Sequence, residues 1–150
     1  MKWTLILRLS LIELALAVGS IFFISPNFET LLWLILVLYY AYSIGKNTRQ
    51  LRFLHGLLLG ILNGVWAAVT HDVFLTRYLT LHPVAVETIA KAQSANAVLS
   101  PRAILSVTAV VLGLLGGIVV GVFAIVAGMM VKPKRIDLTQ PDMSGPGTQA

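Results

Sequence analysis

The chain has 150 residues, of which 57% are hydrophobic and 11% charged; soluble domains carry about 25% charged residues, so an ordinary water-soluble fold is excluded and a single membrane bundle is the expected domain. The net charge of +5 is not a nucleic-acid signature, because eight of the eleven Lys and Arg residues sit in short segments flanking apolar runs, where they report topology. Cysteine is absent, which excludes disulfides, thiolate chemistry and Cys-ligated metals.

The first apolar run covers residues 3–24. Lys2 followed by a greasy stretch is reminiscent of a cleaved leader, but Arg8 and Glu13 interrupt it. It is therefore read as a first membrane helix. Ser25-Pro26-Asn27 reads as a tight turn, with Asn27 as N-cap of a second span over residues 28–44. Trp33 near one end of that span and Tyr39, Tyr40 and Tyr42 near the other read as interfacial belts. A short basic connection through Lys46, Arg49 and Arg52 leads to a third span, residues 53–74, which carries Gly56, Gly60 and Gly64 at a spacing of four, with Ala68 next in the series.

Residues 75–99 are too polar for lipid, holding Arg77, His82, Glu87, Lys91 and Asn96. His82-Pro83 breaks whatever precedes it, and Pro83 suits the first turn of a new helix. Val86, Ile89, Ala90 and Ala97 recur at helical spacing, and Glu87 and Lys91 form an i,i+4 pair, so residues 83–97 read as an amphipathic surface helix. Ser100 as N-cap and Pro101 at the first helical position start the last span. That span, residues 103–131, is almost wholly apolar and repeats the device with Gly113, Gly117 and Gly121, flanked by Ala109 and Gly128. Its length exceeds the roughly 30 Å hydrocarbon core, so it must cross the membrane. Lys132-Pro133-Lys134-Arg135 stops it, and the Pro- and Gly-containing tail, residues 136–150, is expected to be a disordered cytoplasmic segment. The domain is thus residues 1–135, an all-α membrane fold of four transmembrane helices in a bundle with one short amphipathic extracytoplasmic helix.

Small residues at a spacing of four let backbones approach closely enough to gain contact that lipid does not match, so the third span is expected to pack directly on the fourth. With four spans, Lys2, Arg8, Lys46, Arg49, Arg52, Lys132, Lys134 and Arg135 fall on one side, and Arg77, Lys91 and Arg102 on the other. The positive-inside rule then places both termini in the cytoplasm of a cell with the protein in its inner (plasma) membrane.

Glu13 is the most informative polar residue, near the middle of the first span on a face shared with Ser10, Ala17 and Ser20. A central Asp costs about 2.5–3.5 kcal/mol on insertion scales, so Glu13 reads as a relay or substrate contact, as a structural carboxyl bonded to a neighbouring helix, or as an interfacial residue if the span starts near Leu9. His55, Asn63, Trp66 and Thr70 share one broad face of the third span, where they line a cavity with Glu13 or make interhelical hydrogen bonds. His71-Asp72 lie about 100° apart on a helix and read as solvated residues at a membrane exit, with Asp72 pairing to Arg77. No HExxH, nucleophile-elbow, Walker or GxGxxG pattern is present, so no metal, cofactor or catalytic residue is expected.

Two stretches carry a family resemblance: YYAYSIGKNTRQLRFLHGLLLGILNG, from Tyr39 to Gly64, and the segment from Ser100 to Arg135. The first is an aromatic helix end, a basic turn and a glycine-bearing span; the second is a Ser-Pro start, a glycine-rich final span and a basic stop. With the helical insert between them, this order resembles an uncharacterised bacterial membrane family catalogued as domain of unknown function 4199, over residues 5–134. The resemblance implies a four-span inner-membrane protein and transfers no activity and no site residue. The leading expectation is a non-enzymatic accessory or scaffold subunit that packs through its glycine stripes in the lipid bilayer, as a homo-oligomer or with a membrane-complex partner, and without nucleic acid. The alternative is a small transporter or proton-coupled channel using Glu13, His55, Asn63 and Trp66. A membrane-embedded enzyme at His71-Asp72 is the weakest of the three.

Overall fold

A computed structural model of the chain describes residues 1–24, 26–95 and 98–131, with residues 26 and 27 described by backbone alone. Every element among the described residues is a helix: α1 (Trp3–Phe22), α2 (Pro26–Asn47), α3 (Arg52–Val73), α4 (Leu75–Leu81), α5 (Pro83–Ala95) and α6 (Pro101–Met130). Four of them, α1, the Phe28–Asn47 part of α2, α3 and α6, are long and apolar enough to cross a membrane. Helix is the conformation that satisfies each backbone amide and carbonyl within its own segment, which an apolar solvent demands. The 30 residues of α6 span about 45 Å at 1.5 Å per residue, well beyond the hydrocarbon thickness. This is a multi-pass membrane protein whose exterior is apolar, with Leu34, Leu38, Val107, Leu112 and Leu115 all exposed on the bundle. In water such a surface would drive association; in lipid it is the matched face.

The bundle is built on α3 and α6, which make by far the most extensive contact; α1 lies mainly on α3, and α2 mainly on α6. The reason is backbone proximity. A methyl at Gly60 would collide with Gly117 Cα and Gly113 O, one at Gly56 with the backbone of Gly121, and one at Gly64 would sit 2.8 Å from Ala109 O. The two stripes therefore meet each other in antiparallel register inside one chain. A second close approach has no partner in the spacing-of-four pattern: a methyl on Gly45 of α2 would lie 2.8 Å from Gly128 N and 2.9 Å from Ala124 O of α6.

One end of the bundle is tied by the N-terminus. The Lys2 backbone amide donates to His55 Nε2 at 3.0 Å, and Lys2 Nζ donates to Asn47 O at 2.7 Å. Arg52 closes the same end, donating from Nε to Thr48 O at 2.9 Å and lying against Gly128. An apolar cluster of Ile6, Leu9, Val37, Tyr40, Ile44, Leu59, Val120 and Ala124 fills the interior above it. At the far end a smaller cluster, Ile89, Ile104 and Leu105, seats α5 on α6, with Leu75, Tyr78 and Leu79 of α4 against it.

Several expectations need correction. Asn27 is not an N-cap, because α2 already starts at Pro26. The connection after α3 holds a helix not foreseen, α4, which ends at His82 ahead of Pro83. Of the apolar stripe expected in α5 only Ile89 is buried, while Val86, Glu87 and Lys91 are exposed. Glu87 and Lys91 close no ion pair among the described residues; Asp72 pairs with Arg102, 3.3 Å from Nε to Oδ1, and not with Arg77. By contrast Ser100 accepts from the Ala103 amide at 3.2 Å with Pro101 at the first helical position, as its residue types dictate. Ala97, the basic stop and the tail lie outside the described residues.

Candidate functional site

Glu13 is the buried carboxyl of the bundle, 6% exposed. Helical spacing puts it on the same inward face as Ser10, Ala17 and Ser20, all buried. The two serines do not serve it. Each hydroxyl donates back to its own helix, Ser10 to Leu7 O at 2.9 Å and Ser20 to Ala17 O at 3.0 Å, the usual way a short polar side chain satisfies itself in a helix. The partner of Glu13 comes from α2: Trp33 Nε1 donates to Oε1 at 3.2 Å. The indole reaches that position because α6 has Gly116 beneath it, where a methyl would lie 2.6 Å from the ring edge.

Glu13, Trp33, Tyr40 and Asn63 line one internal cavity of about 20 Å³, together with Leu59 and Gly60 of α3 and Gly113 and Gly116 of α6. That is room for one water-sized species. Two of its polar groups have no partner: the Tyr40 hydroxyl and Asn63 Oδ1 are buried without a hydrogen bond. The Tyr40 hydroxyl lies within reach of the Glu13 carboxyl, at the margin of hydrogen-bond geometry. Buried polar atoms are satisfied in the great majority of cases, and these two, one on α2 and one on α3, are exceptions.

A second cavity of about 200 Å³ adjoins the same groups, lined by Glu13, Trp33 and Asn63 and extending to Glu29, His71 and Tyr78. At that end His71 stacks on Tyr78 with centroids 3.9 Å apart, and Tyr78 on His82 at 4.2 Å. His82 Nε2 meets Glu29 Oε2 at 3.1 Å, fastening α4 to the start of α2. Burial, with the Glu29 carboxylate adding to it, pushes the Tyr78 phenol up to about 12, so that ring stays neutral at physiological pH. His71 is thus part of a half-buried aromatic stack, while its neighbour Asp72 reaches the surface to pair with Arg102.

The structure brings together two of the four polar residues singled out in the sequence, Glu13 and Asn63. His55 belongs to the other end, its Nδ1 on Leu51 O at 2.8 Å and its Nε2 on the Lys2 amide. Accepting through Nε2 makes it the neutral Nδ1–H tautomer, a structural clamp. Trp66 is half-buried with an unpartnered Nε1 and lines neither cavity. Trp33 and Tyr40 were missed as site residues because aromatic residues near span ends read as membrane belts. A signal was available: Trp33, Val37, Tyr40 and Ile44 recur at helical spacing and form one face. No group of three or more His, Cys, Asp or Glu residues able to hold a metal occurs among the described residues. Compared with known protein families, curated proteins and solved structures, the chain finds no match.

Proposed function

We propose that this chain is a non-enzymatic inner-membrane protein that passes protons, or a small solute coupled to them, by way of Glu13. The observation that carries this reading is the convergence of Glu13, Trp33, Tyr40 and Asn63 from three helices on one cavity joined to a larger one. Ionisable groups at bilayer depth are costly and mark ion and proton pathways. The larger cavity reaches Glu13 from the Glu29 and His71 end, while the apolar cluster around Ile6, Ile44 and Leu59 closes the opposite side. A carboxyl open to one side at a time is what alternating access needs.

Orientation is supported by where basic residues sit. Lys2, Lys46 and Arg52 gather at one end of the bundle, where Lys2 meets Asn47 and Arg52 meets Gly128. Arg77, Lys91 and Arg102 belong to the elements at the other end. With Lys132, Lys134 and Arg135 following α6, the excess favours cytoplasmic termini. It also sets α5 on the extracytoplasmic surface as an amphipathic helix, Ile89 inward. The four-span layout accords with the resemblance to domain of unknown function 4199, which brings no activity with it.

Proteoliposomes loaded with a pH-sensitive dye test the reading. Wild-type protein is expected to pass protons under a clamped potential, and Glu13→Gln to abolish the flux. No wild-type flux, or an equal flux from the variant, overturns it. The second reading, an accessory or scaffold subunit, now needs a surface other than the glycine stripes, since those face each other. A groove of about 590 Å³ between α2 and α6, lined by Leu34, Val37, Leu115, Val119 and Phe123, is that surface. Crosslinking from Leu34 or Leu115 in native membranes should then trap a partner or a second copy; finding neither counts against the subunit reading.

A further inference from the structure

His82 stands at the end of α4 with an acceptor at each ring nitrogen. Its Nδ1 lies 3.0 Å from Tyr78 O, and its Nε2 lies 3.1 Å from Glu29 Oε2. A neutral imidazole has one N–H and a lone pair on the other nitrogen, so it can donate to only one of the two. With one proton more, both contacts close: each nitrogen donates, the ring is an imidazolium, and Glu29 is the carboxylate facing it. Glutamic acid is a stronger acid than an imidazolium, which puts that proton on the ring. We propose that His82 and Glu29 form a proton-operated latch over the cavity that leads to Glu13, closed while the pair holds this proton and released when it leaves.

The latch sits where it can control access. Glu29 from α2 and Tyr78 from α4 both line the cavity of about 200 Å³ that Glu13 also lines, and His82 holds them together. The proton strengthens this tie twice. It makes the Glu29 contact charge-assisted, roughly twice as strong as a neutral hydrogen bond. It also turns the stack of His82 on Tyr78, 4.2 Å between centroids, into a cation–π contact. When the proton passes to water, a lone pair of the ring is left facing either the carboxylate or Tyr78 O, and one of the two contacts becomes repulsive. The other titratable groups at this end do not take over the role. His71 of α3 stacks on the opposite face of Tyr78, Asp72 of α3 and Arg102 of α6 pair with each other, and Arg77, Glu87 and Lys91 are exposed. Glu13 of α1 meets Trp33 instead.

The latch rests on the reading of that cavity as the route to Glu13, and its test uses no flux. The chain has no cysteine, so a thiol placed at Ala67, which lines the cavity, is unique. Full-length Ala67→Cys protein in nanodiscs is labelled with a small water-soluble thiosulfonate, and its rate is divided by that of Val84→Cys on exposed α5, which corrects for the thiolate fraction. The ratio is expected to rise about tenfold between about pH 5 and 8, the range in which histidine changes charge, for the loss of one charge-assisted bond. His82→Gln and Glu29→Gln should each hold the ratio at its high value throughout. A ratio that is flat in the parent protein, or that keeps its pH dependence in His82→Gln, overturns the latch. Nitrogen NMR of histidine-labelled protein decides the proton without any variant having to fold well in the open state: in acid every ring nitrogen of His82 should carry a proton, and a bare nitrogen there overturns the proposal. The two readings fail separately. Flux that depends on Glu13 with a flat labelling ratio removes the latch alone, and a pH-dependent ratio without flux removes the transport alone.

Discussion

A single donor decides the environment of Glu13. The Trp33 indole reaches it only because Gly116 leaves space under the ring, so sequence-distant residues on three helices set one hydrogen bond. Replacing Trp33 with Phe removes the donor and keeps most of the ring, and is expected to destabilise the bundle by about 1–3 kcal/mol. In a Glu13→Gln background the same change should cost less, and the difference, read from reversible unfolding in mixed micelles, is the coupling between the two side chains. An equal cost in both backgrounds would mean that the indole acts by packing alone. A second residue-scale prediction concerns Leu51, the one described non-glycine residue with positive φ, 57°. Its left-handed backbone costs roughly 1–2 kcal/mol for a residue with a Cβ, and its side chain is exposed. Leu51→Gly should therefore raise the unfolding midpoint; a lowered midpoint would show that the leucine contributes contacts outweighing its backbone.

At the scale of elements, the glycines of α3 and α6 are a contact between rigid backbones, and rigidity sets the size of the mutational effect. A methyl at Gly60 meets Gly117 Cα and Gly113 O, neither of which can rotate away. At Gly19 it meets only the tip of Ile24, Cδ1 at 3.2 Å, which can. Gly60→Ala and Gly117→Ala are each expected to cost about 1–3 kcal/mol by forcing the helices apart, and bulkier replacements to prevent a monodisperse product in detergent. Gly19→Ala should stay close to wild type. If all three behave alike by unfolding and size exclusion, close helix approach is not what holds this bundle. The spacing of four announced that contact in advance, because it encodes a stripe that only a second stripe can approach so closely. The α2–α6 approach through Gly45 and Gly128 was not announced: each is a single glycine near a helix end, where the residue type is common for other reasons.

For the whole molecule, the arrangement separates a basic end, tied by Lys2, Asn47 and Arg52, from an end where Glu29–His82 and Asp72–Arg102 fasten the short helices. Reporter fusions check the resulting topology. A fluorescent reporter that works only in the cytoplasm is expected to be active after Thr48 and Asp137, and a phosphatase that works only outside to be active after Asn27 and Lys91. Any pair reading the same on both sides of a span would break the four-span arrangement. The surface pairs themselves contribute little, because an exposed ion pair such as Asp72–Arg102 is worth at most about 1 kcal/mol. The bundle depends instead on helix contact and on a lipid solvent.

The sequence by itself determined the solvent, the four long helices and the antiparallel meeting of the two glycine stripes. Each of these follows from composition or from a period along one segment, which is information local to the chain. It also singled out Glu13, because a carboxylate in an apolar run is conspicuous without any structure. Only the tertiary structure decided what Glu13 faces. Its neighbours Trp33, Tyr40 and Asn63 come from helices whose relative rotation depends on all the other contacts at once. That rotation turned two aromatic residues that read as membrane belts into the lining of a cavity, while His55, about 12 Å along α3 from Asn63 at 1.5 Å per residue, holds the N-terminus at the other end.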